Sequence, residues 1–357
     1  MKPTQPTALR NLATLMSLTT VACGSLAAQS TTPAKPNSQM QAVLDKLGTL
    51  GGKPIESLSA EDARKQPSPA DAVMAILKED NKDAAEPVSM VENFKIELSN
   101  GDIKARVYKP AGEGPFPMIL YIHGGGWVIA DLDTYDATPR ALANGVNAIV
   151  VSAHYRQAPE HKFPAAHNDA YGAYQWVLKN GHRWSGNTKN VAVVGESAGG
   201  NLAASICIMA QAEGIQLPVH QVLIYPIADT KLDTPSYVEN ASAKPLNAAM
   251  MKWFLDKTFD KPEDAKDPKV ALLQAKTLKG LPSATIITAQ IDPLRSEGEA
   301  LAKKLTADGV EVAYKNYDGV THEFFGMSAV VDVAKEANAF VFANLKAAFG
   351  KGKSEAP

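Results

Sequence analysis

An α/β protein with a mostly parallel central sheet, helices on both faces and a helical cap is predicted from three features of this chain. First, Asn190–Val194 reads as a buried parallel strand that runs through Gly195-Glu196-Ser197-Ala198-Gly199 into the small-residue helical stretch 201–212. Second, the apolar strand Met118–Ile122 runs into His123-Gly124-Gly125-Gly126-Trp127. Third, further strand-like runs at Ala148–Ala153, Gln221–Ile227 and Ala284–Ala289 are separated by helical and loop segments, the alternation that builds a parallel sheet.

Each junction has a chemical reading. Gly-x-Ser-x-Gly between a strand and a helix is the form of a nucleophile elbow, in which glycines at 195 and 199 remove side chains that would collide with neighbouring backbone. Ser197 then stands beside a helix N-terminus, where developing negative charge is favoured. The three glycines after His123 can curl their N–H groups into a concavity for an oxyanion, and each such donor is worth about 2.7–4 kcal/mol in a transition state. An HGGG element of this kind pairs with Gly-x-Ser-x-Gly in lipases and esterases.

A serine nucleophile needs a base, and the chain has seven histidines, at 123, 154, 161, 167, 182, 220 and 322. In this order of elements the acid and then the histidine follow the serine. His220 precedes its strand and so lies at the wrong end, which leaves His322, after the alternating edge strand Val310–Tyr317 and the loop 318–321. The acid is expected after the β-branched strand Ala284–Ala289, and Asp292 is the first carboxylate there. Glu297 and Glu299 are expected on the solvated face of a helix over 296–307, and Asp318 in a turn.

These motifs carry a family resemblance. HGGGW at 123–127, YRQAPE at 155–160 with FPAA at 163–166, GESAGGNLA at 195–203, DPLRSEG at 292–298 and GVTHEF at 319–324 resemble the hormone-sensitive lipase family of α/β-hydrolases, the bacterial HGGG esterases, over about residues 38–349. The resemblance implies the alpha/beta-hydrolase fold, a serine esterase mechanism without cofactor or metal, and short acyl chains. It makes Ser197 the nucleophile, Asp292 the acid and His322 the base, with the N–H groups of Gly125, Gly126 and Ala198 as oxyanion hole. The chain departs from the family pattern at Glu196, Gln157 and Glu323, and two of these place extra carboxylates near the site. Tyr155, Arg156 and Glu160 are expected to pin a turn. Activity is expected to rise with pH near about 6.5, as the base becomes neutral. An acyltransferase using the same site, or a ligand-binding protein on this scaffold, are the rival readings.

The rest of the chain sets bounds. A length of 357 residues with 45% hydrophobic composition suffices for one large core, and a net charge of −2 without a basic block gives nucleic acid no electrostatic footprint. Lys2 and Arg10 precede the apolar run Leu12–Ala22, too short to span a bilayer, and Ser25-Leu-Ala27-Ala28 follows. This reads as a secretory signal over 1–28 with export to the periplasm or medium; lipid attachment at Cys23 is the alternative. A Ser/Thr/Pro-rich tether over 29–38 follows, then helices within 39–88, with stretches at 39–47 and 69–78. The catalytic domain spans 89–350, with a cap insertion at about 229–276 containing an apolar helix over 246–259, and 351–357 reads as a disordered tail. Cys207 is the one other thiol and is expected buried in the helix after Ser197. The expected partner is a small-molecule ester, and pairing of two copies through an edge strand near 310–317 is compatible with the sequence.

Overall fold

Eight strands are found among the described residues: β1 (Met90–Ile96), β2 (Ile103–Lys109), β3 (Phe116–Ile122), β4 (Ile149–His154), β5 (Gly186–Glu196), β6 (Gln221–Ile224), β7 (Ala284–Ile291) and β8 (Val312–Thr321). They form one sheet in the order β1-β2-β4-β3-β5-β6-β7-β8. The pairs β1/β2 and β2/β4 are antiparallel and the other pairs parallel. This computed structural model describes residues 1, 3, 34–82 and 85–351. The chain divides into Met1–Thr32 and Pro33–Pro357, and every described helix and strand lies in the second unit. The expected signal segment (apart from Met1 and Pro3), Cys23, tether residues 29–33 and tail residues 352–357 lie outside the described residues.

The predicted α/β architecture, mostly parallel with helices on both faces, is the one observed. Side chains on successive positions of β3 point to opposite faces, so Met118, Leu120 and Ile122 join one core while Ile119 and Tyr121 join the other. Helices α5 (Ala165–Asn180), α6 (Ala198–Glu213) and α9 (Arg295–Ala307) cover the first face. Helices α4 (Ala137–Val146) and α10 (Asp332–Lys351) cover the second, with α1 (Ser38–Thr49) and α3 (Pro69–Glu79), while the short α2 (Ala60–Ala63) joins the first core. With both faces covered, the central strands are buried and mostly apolar, with few polar residues such as Ser152 and Thr288, which is why they were readable as runs.

The edges were less readable. The β1–β2 hairpin has no counterpart in the sequence reading, because β1 is mostly exposed and its apolar residues Met90, Val91, Phe94 and Ile96 do not alternate regularly with polar ones. At the other edge β8 continues through Thr321, so Asp318 stands in a strand, where its carboxylate accepts from Asn316 Nδ2 (3.1 Å), and not in a turn. The predicted N-terminal helices are present. α3 starts at a Ser68 capping box closed by Asp71, with Pro69 at its first position. α1 starts at Ser38 and is capped by Asn37, whose own N–H donates to Gly319 O (2.8 Å), so the end of the expected tether belongs to the fold. Between β6 and β7 lie α7 (Pro235–Glu239) and α8 (Ala248–Thr258). Met251, Trp253 and Phe254 of α8 pack into the core, and Trp253 ties the helix to the N-terminal segment, donating from Nε1 to Leu58 O (3.1 Å). No described helix is long and apolar enough to cross a membrane.

Candidate active site

Three side chains from three strand ends meet. Ser197 follows β5 directly, Asp292 follows β7 and His322 follows β8, all at the C-terminal edge of the parallel sheet, where α/β sheets place their ligands. Ser197 Oγ lies 2.9 Å from His322 Nε2, and His322 Nδ1 lies 2.7 Å from Asp292 Oδ2. The structure thus brings together all three residues of the predicted triad. Asp292 is fully buried, and its other oxygen accepts from Leu294 N (2.8 Å), which aims the carboxylate at the ring. With Asp292 accepting from Nδ1–H, Nε2 is left to accept the serine proton. Burial disfavours the imidazolium of His322, yet the Asp292 charge and hydrogen bond outweigh it and raise the ring above its ordinary value.

The backbone at Ser197 is strained as an elbow should be. Its φ is 56° and ψ −119°, a region rarely visited by a residue with a side chain. The turn closes because its flanking glycines touch backbone: a Cβ on Gly195 would lie 2.0 Å from Gly199 O, and one on Gly199 would lie 2.0 Å from Ile122 O. The Gly199 contact ties the elbow to the end of β3, the neighbouring strand, and so to the glycine loop.

That loop is held on every side. Gly125 and Gly126 have φ of 93° and 57°, and a Cβ on Gly125 would lie 2.2 Å from Ile129 O. Gly125 O accepts from Val128 N and Ile129 N, and Gln157 Nε2 donates to Ile129 O (2.7 Å) and Ala130 O (2.9 Å). Tyr155 OH donates to Gly124 O (2.8 Å). His123 Nδ1 donates to the same oxygen (2.8 Å), leaving Nε2 to accept from His154 Nδ1 (3.0 Å); burial lowers His123 to about 3, so it stays neutral. Gly125 and Gly126 line the same pocket as Ser197 and His322. Ala198, the third predicted donor, is the buried first residue of α6, where an N–H has no intrahelical partner. Tyr155, Arg156 and Glu160 hold structure, as the sequence suggests, each through a partner elsewhere in the chain: Tyr155 to Gly124 O, Arg156 to the buried Asp169 (2.7 Å) and Glu160 to Arg64 (2.6 Å).

The pocket is a cavity of about 390 Å³. Leu44 and Leu47 of α1, Ile55, and Met250, Met251 and Phe254 of α8 form its apolar wall. The Phe254 ring sits where a Cβ on Gly126 would be, 2.2 Å away.

Two carboxylates stand beside the triad. Glu196 is buried and accepts from Tyr121 OH (2.6 Å) and Tyr225 OH. Burial first, then the Glu323 charge, push it up to about 7 against those two donors. The Tyr225 ring lies 4.5 Å from that of His322. Glu323 accepts from Tyr135 OH (2.6 Å). The sequence flagged both glutamates but not the three tyrosines, whose spacing along the chain gives no local signal. Among the described residues no group of three or more His, Cys, Asp or Glu side chains is placed to hold a metal ion.

One expectation is overturned. Glu297 does not lie on a solvated helix face; it is 1% exposed, and its Oε2 accepts from Ala228 N (2.8 Å) and Asp229 N (2.6 Å). It faces inward because the loop after β6 presents two N–H groups that need an acceptor. Burial raises Glu297 to about 8, against those donors and with help from the Asp229 and Asp292 charges. Glu299 does face outward, paired with Lys303 (2.6 Å). Between the ordinary glutamate value and about 8 the folded protein holds a proton that the unfolded chain releases, so this group's contribution to stability falls as pH rises through that window. Glu297→Gln keeps the acceptor and removes the titration. Its stability relative to the parent is therefore expected to increase from pH 5 to pH 8 in denaturant melts; a difference independent of pH would contradict this account.

Cys207 is buried in α6 as expected, with its thiol donating to Ala203 O. His220, set aside above, hydrogen-bonds Ser283 and Thr285 at the far end of the sheet.

Comparison with known proteins agrees with this fold. Residues 119–326 match the model of a family described as alpha/beta hydrolase fold. The chain is 39% identical over 252 residues to carboxylesterase NlhH of Mycobacterium tuberculosis, covering 69% of this chain and 79% of that protein. It is 32% identical over 300 residues to an ethyl acetate hydrolase of Pseudomonas putida, covering 82% and 92%. A hyperthermophilic esterase from the archaeon Pyrobaculum calidifontis superposes with a TM-score of 0.80 at 38% identity, over 88% of this chain and 99% of that one. The chain therefore belongs to the hormone-sensitive lipase and carboxylesterase family of the alpha/beta hydrolase fold.

Proposed function

We propose that this protein is a serine carboxylesterase acting on short- to medium-chain acyl esters. The observation that carries the reading is the Ser197–His322–Asp292 chain of hydrogen bonds, at 2.9 Å and 2.7 Å, opening into an apolar pocket. Ser197 Oγ attacks the ester carbonyl carbon as its proton passes to His322 Nε2, and the oxyanion is received by the N–H groups of Gly125, Gly126 and Ala198. Collapse breaks the C–O bond, the alcohol leaving with the proton from Nε2. Water then gives a proton to Nε2 as it attacks the acyl carbon, and the Oγ–C bond breaks with Ser197 Oγ taking that proton back as the acid is released. The family membership and the esterase relatives support the same chemistry.

A pocket of about 390 Å³ is at the small end of ligand sites, which favours short acyl chains. The helices within 39–88 and 229–276 serve as the cap that bounds it, since Leu44 and Met250 come from them. Hydrolysis of p-nitrophenyl esters from acetyl to palmitoyl should peak at short lengths, and an alkyl phosphonate should add once, on the peptide carrying Ser197. A protein that hydrolyses none of these esters and takes no phosphonate is not an esterase. Export through a signal over 1–28 is part of the proposal. The intact mass of the protein recovered from the periplasm or medium should begin near Gln29; a diacylglycerol adduct on Cys23 would instead indicate a lipoprotein.

A further inference from the structure

Glu323 occupies an unusual place. It follows His322 directly, in a left-handed conformation with φ 71° that glycine adopts without strain and a side-chain-bearing residue does not. The strained backbone holds a carboxylate against the reaction centre: Glu323 Oε1 lies 3.7 Å from His322 Nε2, on the side of the ring that also meets Ser197 Oγ, and away from Asp292 at Nδ1. Tyr135 OH, from the loop after the glycine run, donates to that same oxygen at 2.6 Å and keeps it in place. The side chain is 21% exposed and lines the pocket.

We propose that Glu323 is a positioning residue of this site: a second carboxylate, opposite Asp292, that stabilises the His322 imidazolium formed in each half of the reaction from the face where the alcohol leaves and water enters. This rests on the esterase reading above. During acylation the ring gains the serine proton at Nε2 and becomes cationic. Asp292 meets the charge at Nδ1, and Glu323 meets it beside the nitrogen that carries the moving proton. An opposite charge this close, in a site screened from water, favours the cation. Glu323 gives up no proton and forms no bond to substrate, so it acts only through His322.

Other ionisable groups surround the same ring. Asp292 comes from the β7–α9 loop, Glu196 from the end of β5, and the Tyr225 ring from the segment after β6. Tyr135 and Glu196 both lie close enough to couple to Glu323. Lys53, Glu56, Arg64 and Lys244 line the wider pocket, with Arg64 committed to Glu160. Burial of the His322 ring disfavours its cation, but Asp292, then Glu323 and Glu196, raise it above its ordinary value, while Glu323 is raised by its own burial against the His322 charge and the Tyr135 hydroxyl.

Glu323→Gln keeps an acceptor for Tyr135 and removes the charge; Glu323→Gly suits the left-handed backbone and is expected to fold at least as stably as the parent. In both, the acid limb of kcat/KM should move to lower pH by about one unit, and kcat at its plateau should fall about tenfold, with KM for a neutral ester within about twofold. Tyr135→Phe, which loosens the carboxylate without discharging it, should leave the acid limb near that of the parent. A purely structural role would lower Tm or kcat in all three variants and leave the acid limb unmoved, and that result overturns the proposal. NMR titration of the His322 ring in the parent and in Glu323→Gln needs no turnover. A lower midpoint in the variant supports the proposal even if ester hydrolysis itself were absent, and coincident midpoints overturn it even if hydrolysis is confirmed.

Discussion

Ser197→Ala is expected to reduce ester turnover by roughly a millionfold while leaving the fold intact. The loss is large because the acyl-enzyme has no other atom on which to form, and His322 and Asp292 then assist nothing. What remains is the oxyanion donors acting on water, a residual well below the parent rate. Folding should be nearly unaffected. Alanine retains the Cβ, so the strain at φ 56° is unchanged, and the lost hydrogen bond to His322 is worth only about 1 kcal/mol. The check is a pair of measurements on one preparation, p-nitrophenyl butyrate hydrolysis and a thermal melt by circular dichroism. Near-parental turnover by the variant would remove Ser197 from the mechanism.

Gly199→Ala should have the largest effect on stability. Its Cβ would stand 2.0 Å from Ile122 O and 2.5 Å from His123 O, both backbone atoms at the end of β3, so neither can swing aside as a side chain would. Either α6 moves off the sheet or the glycine loop is displaced, at a cost of about 3 kcal/mol or more. For a chain of this size that corresponds to a Tm lower by roughly 5–10 °C. The displacement would also separate the oxyanion donors from Ser197, so kcat should fall together with Tm. Gly214→Ala is the control. Its φ of 65° strains a side chain, but nothing lies within 4 Å of the new Cβ, so its loss should be about 1 kcal/mol with activity kept. A loss at 199 no larger than that at 214 would show that the contact with β3 is relieved at little cost.

The two substitutions probe different kinds of information. Gly199 and Ser197 are readable in the sequence because their roles depend on neighbours in the chain: a strand, a sharp turn and a helix within a dozen residues. The same holds for the apolar runs of β3 to β7 and for the Ser68-Pro69 start of α3, where local sterics and capping decide the outcome. Asp292 and His322 are readable one step further, since the order of strands in the chain already determines which loops emerge at one edge of a parallel sheet. The β1–β2 hairpin is not readable, because an edge strand open to solvent needs no apolar pattern. Nor is the continuation of β8 through Asp318, where a bulge over 318–320 carries the strand past Asp-Gly to pair with β7 again at Thr321.

The strand–turn–helix units, the glycines that let backbones touch, and a serine, an aspartate and a histidine after three of the strands are legible in the chain. Which polar groups are buried, and what they meet, depends on how distant segments pack. Glu297 looks like any helix-surface glutamate until the loop after β6 brings two N–H groups to it. Glu196 and Glu323 are extra carboxylates in the sequence; in the fold they are held by Tyr121, 75 residues away, and by Tyr135, 188 residues away. The physical reason is range. Backbone sterics and hydrophobic periodicity act over a few residues and leave a local trace, whereas the field at a buried carboxylate is set by whichever distant side chains the packed fold brings within a few ångströms.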